Sequence, residues 1–322
     1  MKILNQTVQQ LTVPTPFAVG DVHVYVIKGD VLSLVDAGVK TEEAWTALKT
    51  QLKELGYLPT DIEQIILTHH HPDHIGLIEK FPRVKQIIAH KHVDLWLTRN
   101  QSYFTHYEQF FSDCLVAFGV PEQIHQSFLT RLHQPLAYAG EGKVTIAIDE
   151  GDRLPGHSDW KVINTVGHAQ THLSFFNATD GTLIGGDHLL HHISSNPLLE
   201  PPLPGEAERA KPLLQYRANL KKCFHLGIKT VLPGHGKIFS NLGPLISHRL
   251  LKQEKRAHDV FALLQDKPQT PYEICRKIFP KQYKTQLDLT LSETIGQLDF
   301  LEHNGYVNKT IVDETLVYNV KE

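Results

Sequence analysis

Thr68-His69-His70-His71-Pro72-Asp73-His74-Ile75-Gly76 sets the reading of the whole chain. It follows Ile65-Ile66-Leu67, an apolar run that reads as a buried strand. His69, His71, Asp73 and His74 place four metal-ligating side chains within six residues. His69 and His71 stand two apart, so an extended segment points them the same way. Pro72 holds His71 extended. It also lets a helix begin directly after it, with Asp73 and His74 in the first turn. The result is a preformed fork of ligands at a strand end. Imidazole suits zinc or iron, and a carboxylate can complete the shell of a second metal.

The rest of the composition agrees with a soluble metalloprotein. The chain has 322 residues, enough for a large core and two domains, and its 41% apolar and 21% charged residues are ordinary. A formal net charge of -3 supplies no general attraction to nucleic acid or to an anionic membrane. The 21 histidines, many of them near the motifs, lean toward metal chemistry. Cys114, Cys223 and Cys275 form no CxxC pair and read as reduced thiols of a cytoplasmic protein. Met1 to Gln10 lacks an apolar core of signal-peptide length, and no apolar run is long enough for a membrane span.

Outward from the fork, strands and helices alternate. Val22–Ile27 and Val31–Val35 read as paired strands around the turn Gly29-Asp30. Asp36 then stands at a strand end, either as a carboxylate that orients a ligand histidine or as a plain turn residue. Thr41–Leu55 has helical spacing, with Thr41 as N-cap and Gly56 as the stop. Val84–Ala89 is another buried strand. Residues 92–139 carry Trp96, Tyr103, Phe104, Tyr107, Phe110, Phe111 and Phe118 and read as a helical insertion near the site. Most of these aromatics are expected to pack the insertion's own core, with one or two lining a pocket. Strands return at Val144–Ile148, Lys161–Thr165, Leu173–Phe176, Thr182–Ile184 and Thr230–Leu232, and Leu213–Leu226 reads as a helix. Beyond about residue 246, a helix capped by Thr270 and another over Ser292–His303 precede a hairpin around Asp313-Glu314. Helices followed by a hairpin is the winged-helix order.

Three later motifs place ligand-type residues after strands: Gly167-His168, Gly185-Gly186-Asp187 and Pro233-Gly234-His235-Gly236. Their glycines let backbone approach closely. Together with the fork, these motifs resemble the metallo-beta-lactamase superfamily over roughly residues 15–240. The resemblance implies an α/β fold, an αβ/βα sandwich with a dinuclear metal site at one edge. It implies a catalytic domain over residues 1–245 and a winged-helix-like domain over 246–322. It assigns His69, His71 and His168 to a first metal, and Asp73, His74 and His235 to a second, with Asp187 bridging both. Asp73 and Asp187 double as proton acceptors in catalysis.

Around that set, His172 is expected outside the ligand shell and His70 pointing away. His188, His191 and His192 read as surface histidines before pocket-lining ones, and Arg209, Lys211 and Tyr216 as surface residues before contacts for an anionic substrate group. Two divalent ions are implied, zinc by default, with iron or manganese also suited. No cysteine lies in a ligand motif, which departs from the antibiotic-hydrolysing branch and looks more like the glyoxalase II and nuclease branches. The expected activity is attack of a metal-activated hydroxide on a small ester, thioester or related acyl substrate. The alternative is a metal-dependent nuclease acting on RNA or single-stranded nucleic acid. Residues 246–322 hold eleven Lys+Arg and eleven Asp+Glu, whereas a nucleic-acid binder shows a basic excess. That balance favours a small-molecule substrate and a C-terminal module that packs on the catalytic domain or builds a homodimer.

Overall fold

Two β-sheets share one apolar core. The computed structural model describes residues 7–321, together with the backbone of residues 2–3. The reading of Met1 to Gln10 and the last residue of the C-terminal module therefore fall partly outside the described residues.

The first sheet runs in sequence order: β1 (Lys2–Ile3), β2 (Val8–Val13), β3 (Val22–Lys28), β4 (Leu32–Val35), β5 (Gln64–Ile66), β6 (Gln86–Ala89) and β7 (Ile146–Ala147). β1 to β4 pair antiparallel, and β4 to β7 pair parallel. The second sheet has the order β12-β11-β10-β9-β8. Its strands are β8 (Arg153–Leu154), β9 (His157–Asn164), β10 (Leu173–Asn177), β11 (Thr182–Gly186) and β12 (Thr230–Pro233). Only β11 and β12 pair parallel there. Tyr25, Ile27, Val35, Ile66 and Ile88 from the first sheet meet Trp160, Val162, Phe175, Ile184 and Leu232 from the second in a single buried cluster. This face-to-face burial is what the apolar runs in the sequence anticipate.

The helices follow their caps. α1 (Glu42–Glu54) is capped by the Thr41 side chain, which accepts from the Ala44 amide, and buries Ala44, Leu48 and Leu52. The strand expected at Val144–Ile148 shortens to β7, and just before it the Thr145 hydroxyl, not a backbone carbonyl, accepts from the Ile87 amide. β2 had no counterpart in the sequence reading.

Contacts divide the chain into two compact units. One holds Met1–Asn100, Pro135–Ser195 and Cys223–Leu242; the other holds Gln101–Gln134, Asn196–Lys222 and Gly243–Glu322. This grouping interleaves segments where the sequence reading drew one cut near residue 245. α2 (Pro72–Ile75) and α3 (Val93–Leu97) lie in the first unit. The second is built from α4 (Gln101–Ala117), α5 (Glu122–His133), most of α6 (Pro212–His225), α7 (Leu242–Asp266), α8 (Pro271–Ile278), α9 (Leu287–His303) and the hairpin β13 (Val307–Val312) and β14 (Thr315–Val320).

The insertion's aromatics do not make a core of their own. Phe111, Phe118 and Phe128 are buried with Val260, Leu264, Ile274, Leu291 and Leu298 of the C-terminal helices. Two short helices bury too little apolar surface alone, so the partner had to come from elsewhere in the chain. Thr270 and Glu273 form a full capping box on α8. Asp313 and Glu314 both take positive φ, 46° and 65°, as a two-residue hairpin turn requires.

Candidate metal centre

The fork is shaped by its own backbone. β5 ends at Ile66, and Asp36 at the end of β4 meets the residue that follows the strand pair. The Thr68 amide and hydroxyl both donate to the Asp36 carboxylate, at 2.8 and 2.9 Å. Its proton committed there, the Thr68 hydroxyl accepts from His69 Nδ1 at 2.9 Å. His69 therefore turns a bare Nε2 inward. His71 is extended, with φ -65° and ψ 147°, and caps α2 as Pro72 dictates. His69 Nε2 and His168 Nε2 each lie 2.9 Å from His71 Nδ1. Three ring nitrogens from two distant loops thus converge on one point.

A second convergence lies beside it. His235 Nε2 is 3.3 Å from Asp73 Oδ2 and 3.4 Å from Asp187 Oδ2. His74 Nε2 is 3.4 Å from Asp187 Oδ1 and 4.0 Å from Asp73 Oδ1. Asp187 Oδ2 also stands 3.6 Å from His168 Nε2, so its carboxylate joins the two clusters. Side-chain atoms within 4.8 Å of one another define three groups able to hold a metal: His69-His71-His168, Asp73-His74-His235 and His69-His74-Asp187. All seven residues named from the sequence are brought together.

Outer contacts aim these rings. His74 Nδ1 donates to Asp36 Oδ2 at 2.8 Å, and His235 Nδ1 donates to the Asp21 carbonyl at 2.8 Å. Asp36, open between two readings in the sequence, orients His74 and Thr68 together. It does so from a left-handed backbone, φ 61°, held by these bonds. His172 accepts from the Asp187 amide at Nε2, 3.0 Å, and its Nδ1 meets the Thr165 hydroxyl at 2.8 Å. It stands behind Asp187, as expected of a residue outside the ligand shell. A Cβ on Gly234 would come 2.1 Å from Asp187 Oδ1, so this glycine makes the room Asp187 occupies.

His70 points away, stacked on Trp96 at 4.1 Å and bonded to the Thr171 hydroxyl at 2.8 Å. His191 and His192 are exposed, but His188 is fully buried, which corrects the surface reading of that residue. Tyr216 is also fully buried, and Arg209 is bound to Asp299, so neither is a free surface group. Lys211 lies 3.8 Å from Glu302 with its side chain 41% exposed, in keeping with a surface role.

Sequence reasoning missed the supports of the His235 loop. The Tyr25 hydroxyl donates to the Pro233 carbonyl at 2.7 Å, the His23 amide donates to the Gly234 carbonyl at 2.7 Å, and His23 Nε2 lies 2.6 Å from the Gly236 carbonyl. Two polar-tipped residues two apart in an otherwise apolar strand were the available signal. Ser195, whose hydroxyl meets His168 Nδ1 at 2.8 Å, left no such trace.

A family model described as the metallo-beta-lactamase superfamily matches residues 18–235. The chain belongs to this superfamily. The probable metallo-hydrolase YqjP of Bacillus subtilis is 40% identical to it over 298 residues, which cover 92% of this chain and 93% of that protein. A metallo-beta-lactamase family protein from Thermus thermophilus superposes with a TM-score of 0.83 at 25% identity, covering 99% of this chain and 100% of that one. A beta-lactamase domain protein from Burkholderia ambifaria shares the fold, with a TM-score of 0.78 at 20% identity over 99% of this chain and 94% of that one. The chain is a metal-dependent hydrolase of the metallo-beta-lactamase superfamily with a His/Asp metal site.

The superfamily's metal chemistry fits the charges of these residues. Burial, reinforced by neighbouring imidazoles, drives His69 and His71 well below the usual histidine pKa. Burial works against charge on His74 and His235 too, but Asp187 and the other carboxylates outweigh it. His74 is raised well above the usual value and His235 is raised to about 10. Burial likewise opposes the charge on Asp187, yet His235 and His74 hold it well below the carboxylate range. One cluster is thus neutral nitrogen; the other is a buried set of carboxylates balanced by protons on histidine. His74 Nε2, His235 Nε2 and Asp187 Oδ1 are buried and face one another through long ion pairs of 3.4 Å, none of which has the geometry of a good hydrogen bond. His74, His235, Asp73 and Asp187 would hold a dication here, which would take the place of the protons on the two histidines.

Proposed function

We propose that the protein is a dinuclear metallohydrolase of a small ester, thioester or related acyl substrate. The carrying observation is the placing of Asp187 between two ligand clusters, within 3.4–3.6 Å of His74, His168 and His235. His69, His71 and His168 would hold one ion, and Asp73, His74 and His235 the other, with Asp187 available to both. This nitrogen-and-oxygen set, free of cysteine, is the glyoxalase II-like arrangement. Zinc is the proposed metal, with iron or manganese accepted by the same donors. Two such ions supply Lewis acidity toward the substrate oxygen and a water of lowered pKa.

The chain's own residues do the rest. Burial opposes charge on Asp73 and Asp187, yet His74 and His235 hold both below the usual carboxylate range, so they would serve first to hold the ions and only weakly as proton acceptors. Asp36, Thr68, His172 and the Asp21 carbonyl keep the ligands from turning. The C-terminal helices and hairpin are proposed as a winged-helix module. Its even balance of eleven basic and eleven acidic residues supports a packing or dimer role over nucleic-acid binding. Three cysteines that are free thiols support a cytoplasmic location. Among the described residues, no helix is long and apolar enough to cross a membrane.

The test is metal analysis of protein purified without chelator, followed by a panel of thioesters and aryl esters. About two metal ions per chain and acyl turnover that stops on chelation are expected. A labelled RNA should stay intact with zinc or manganese. RNA cleavage with no acyl turnover would transfer the site to the nuclease reading.

A further inference from the structure

We propose that Ser195 is a positioning residue for His168, so that one segment, Asp187 to Ser195, sets two adjacent groups of the centre. The inference rests on the metal-centre reading above and deepens it. β11 ends at Gly186 and delivers Asp187; eight residues on, the same segment returns to the site at Ser195. Ser195 is buried, 3% exposed, and its hydroxyl lies 2.8 Å from His168 Nδ1.

Three other inward-facing rings are aimed by neighbours with one fixed role. His74 donates to a carboxylate and His235 to a main-chain carbonyl, both acceptors only. His69 donates to the Thr68 hydroxyl, whose proton is already given to Asp36. His168 differs, because its outer nitrogen meets a serine hydroxyl, which can donate as well as accept, and Gly167 before it has a φ of 131°. For His168 Nε2 to offer a lone pair toward His71 and Asp187, the ring proton must sit on Nδ1. Ser195 Oγ, 2.8 Å away, is placed to accept that proton. Without that oxygen, Nδ1–H loses the acceptor 2.8 Å away, which shifts the balance between the two ring nitrogens toward Nε2, the one that must stay bare.

The decisive experiment compares wild type, Ser195→Ala and Ser195→Thr in two readouts. Long-range 15N–1H NMR of the metal-free proteins reads the tautomer of His168, assigned with a His168→Gln variant. Zinc titration then reads affinity. Wild type and Ser195→Thr should carry the His168 proton on Nδ1. Ser195→Ala should shift it toward Nε2 and weaken zinc binding about 10–100-fold at unchanged circular dichroism. A wild-type tautomer and affinity in Ser195→Ala would overturn the proposal. So would equal losses in Ala and Thr variants, which would assign the effect to packing. A wild-type chain that takes up no zinc would refute the dinuclear reading, while the tautomer signal would still decide the role of Ser195.

Discussion

Asp187 is the residue on which the two ligand clusters depend together. Its carboxylate touches His168 on one side and His74 and His235 on the other. Asp187→Ala should lower bound metal from about two ions per chain to one or fewer and cut turnover by about 100-fold or more, measured by elemental analysis and kinetics. Gly234 guards the same atom from behind. Gly234→Ala would put a Cβ 2.1 Å from Asp187 Oδ1, a distance at which the carboxylate or the loop must shift. Expected is a folded protein with reduced metal content and activity; wild-type values for both would show that the His235 loop relaxes. Both residues stood out in the sequence, Gly234 as a glycine of close backbone approach; what it approaches did not, because that atom lies 47 positions earlier.

At the scale of elements, strand ends carry the chemistry and strand bodies carry the burial. β5 releases the fork, β11 releases Asp187, and β12 ends in the loop that holds His235. β6 ends similarly, at His90, which is buried and bonded to the His92 amide through Nδ1. Burial lowers the His90 pKa from 6.5 to about 4. As pH falls through that interval, the unfolded chain binds a proton that the folded chain refuses. Stability is therefore lost between 6.5 and about 4 and is unaffected by His90 above it. Metal-free His90→Asn should lose less thermal stability than wild type on going from about pH 7 to about pH 5, read by melting temperature. His70, also lowered by burial, keeps part of the acid sensitivity in that variant. The helix caps and the hairpin turn were legible locally because their signals sit within four residues of one another, as in Thr270 and Glu273.

Across the whole molecule, the second unit shows where linear reading stops. Arg209 and Asp299 are 90 residues apart, yet form two bonds of 2.7 and 2.8 Å, with the Asp299 side chain fully buried. Asp299→Ala leaves a mostly buried guanidinium without its partner and should destabilise the protein by about 3 kcal/mol, measured by denaturant unfolding. The same distance problem hid the joining of α4 and α5 to the C-terminal helices, because amphipathic helices state which face is apolar but not what will cover it. The ligand residues, their order and the α/β alternation were determined by the sequence itself, since metal donors at strand ends and apolar periodicity are local properties of the chain. Tertiary structure alone decided which groups aim those donors: Ser195 on His168, Asp21 on His235, and Tyr25 and His23 on the loop between. A hydroxyl or carbonyl oxygen carries no mark of its partner in sequence; it becomes an orienting acceptor only once folding has brought a ring nitrogen within hydrogen-bond distance and excluded the water that would compete for it.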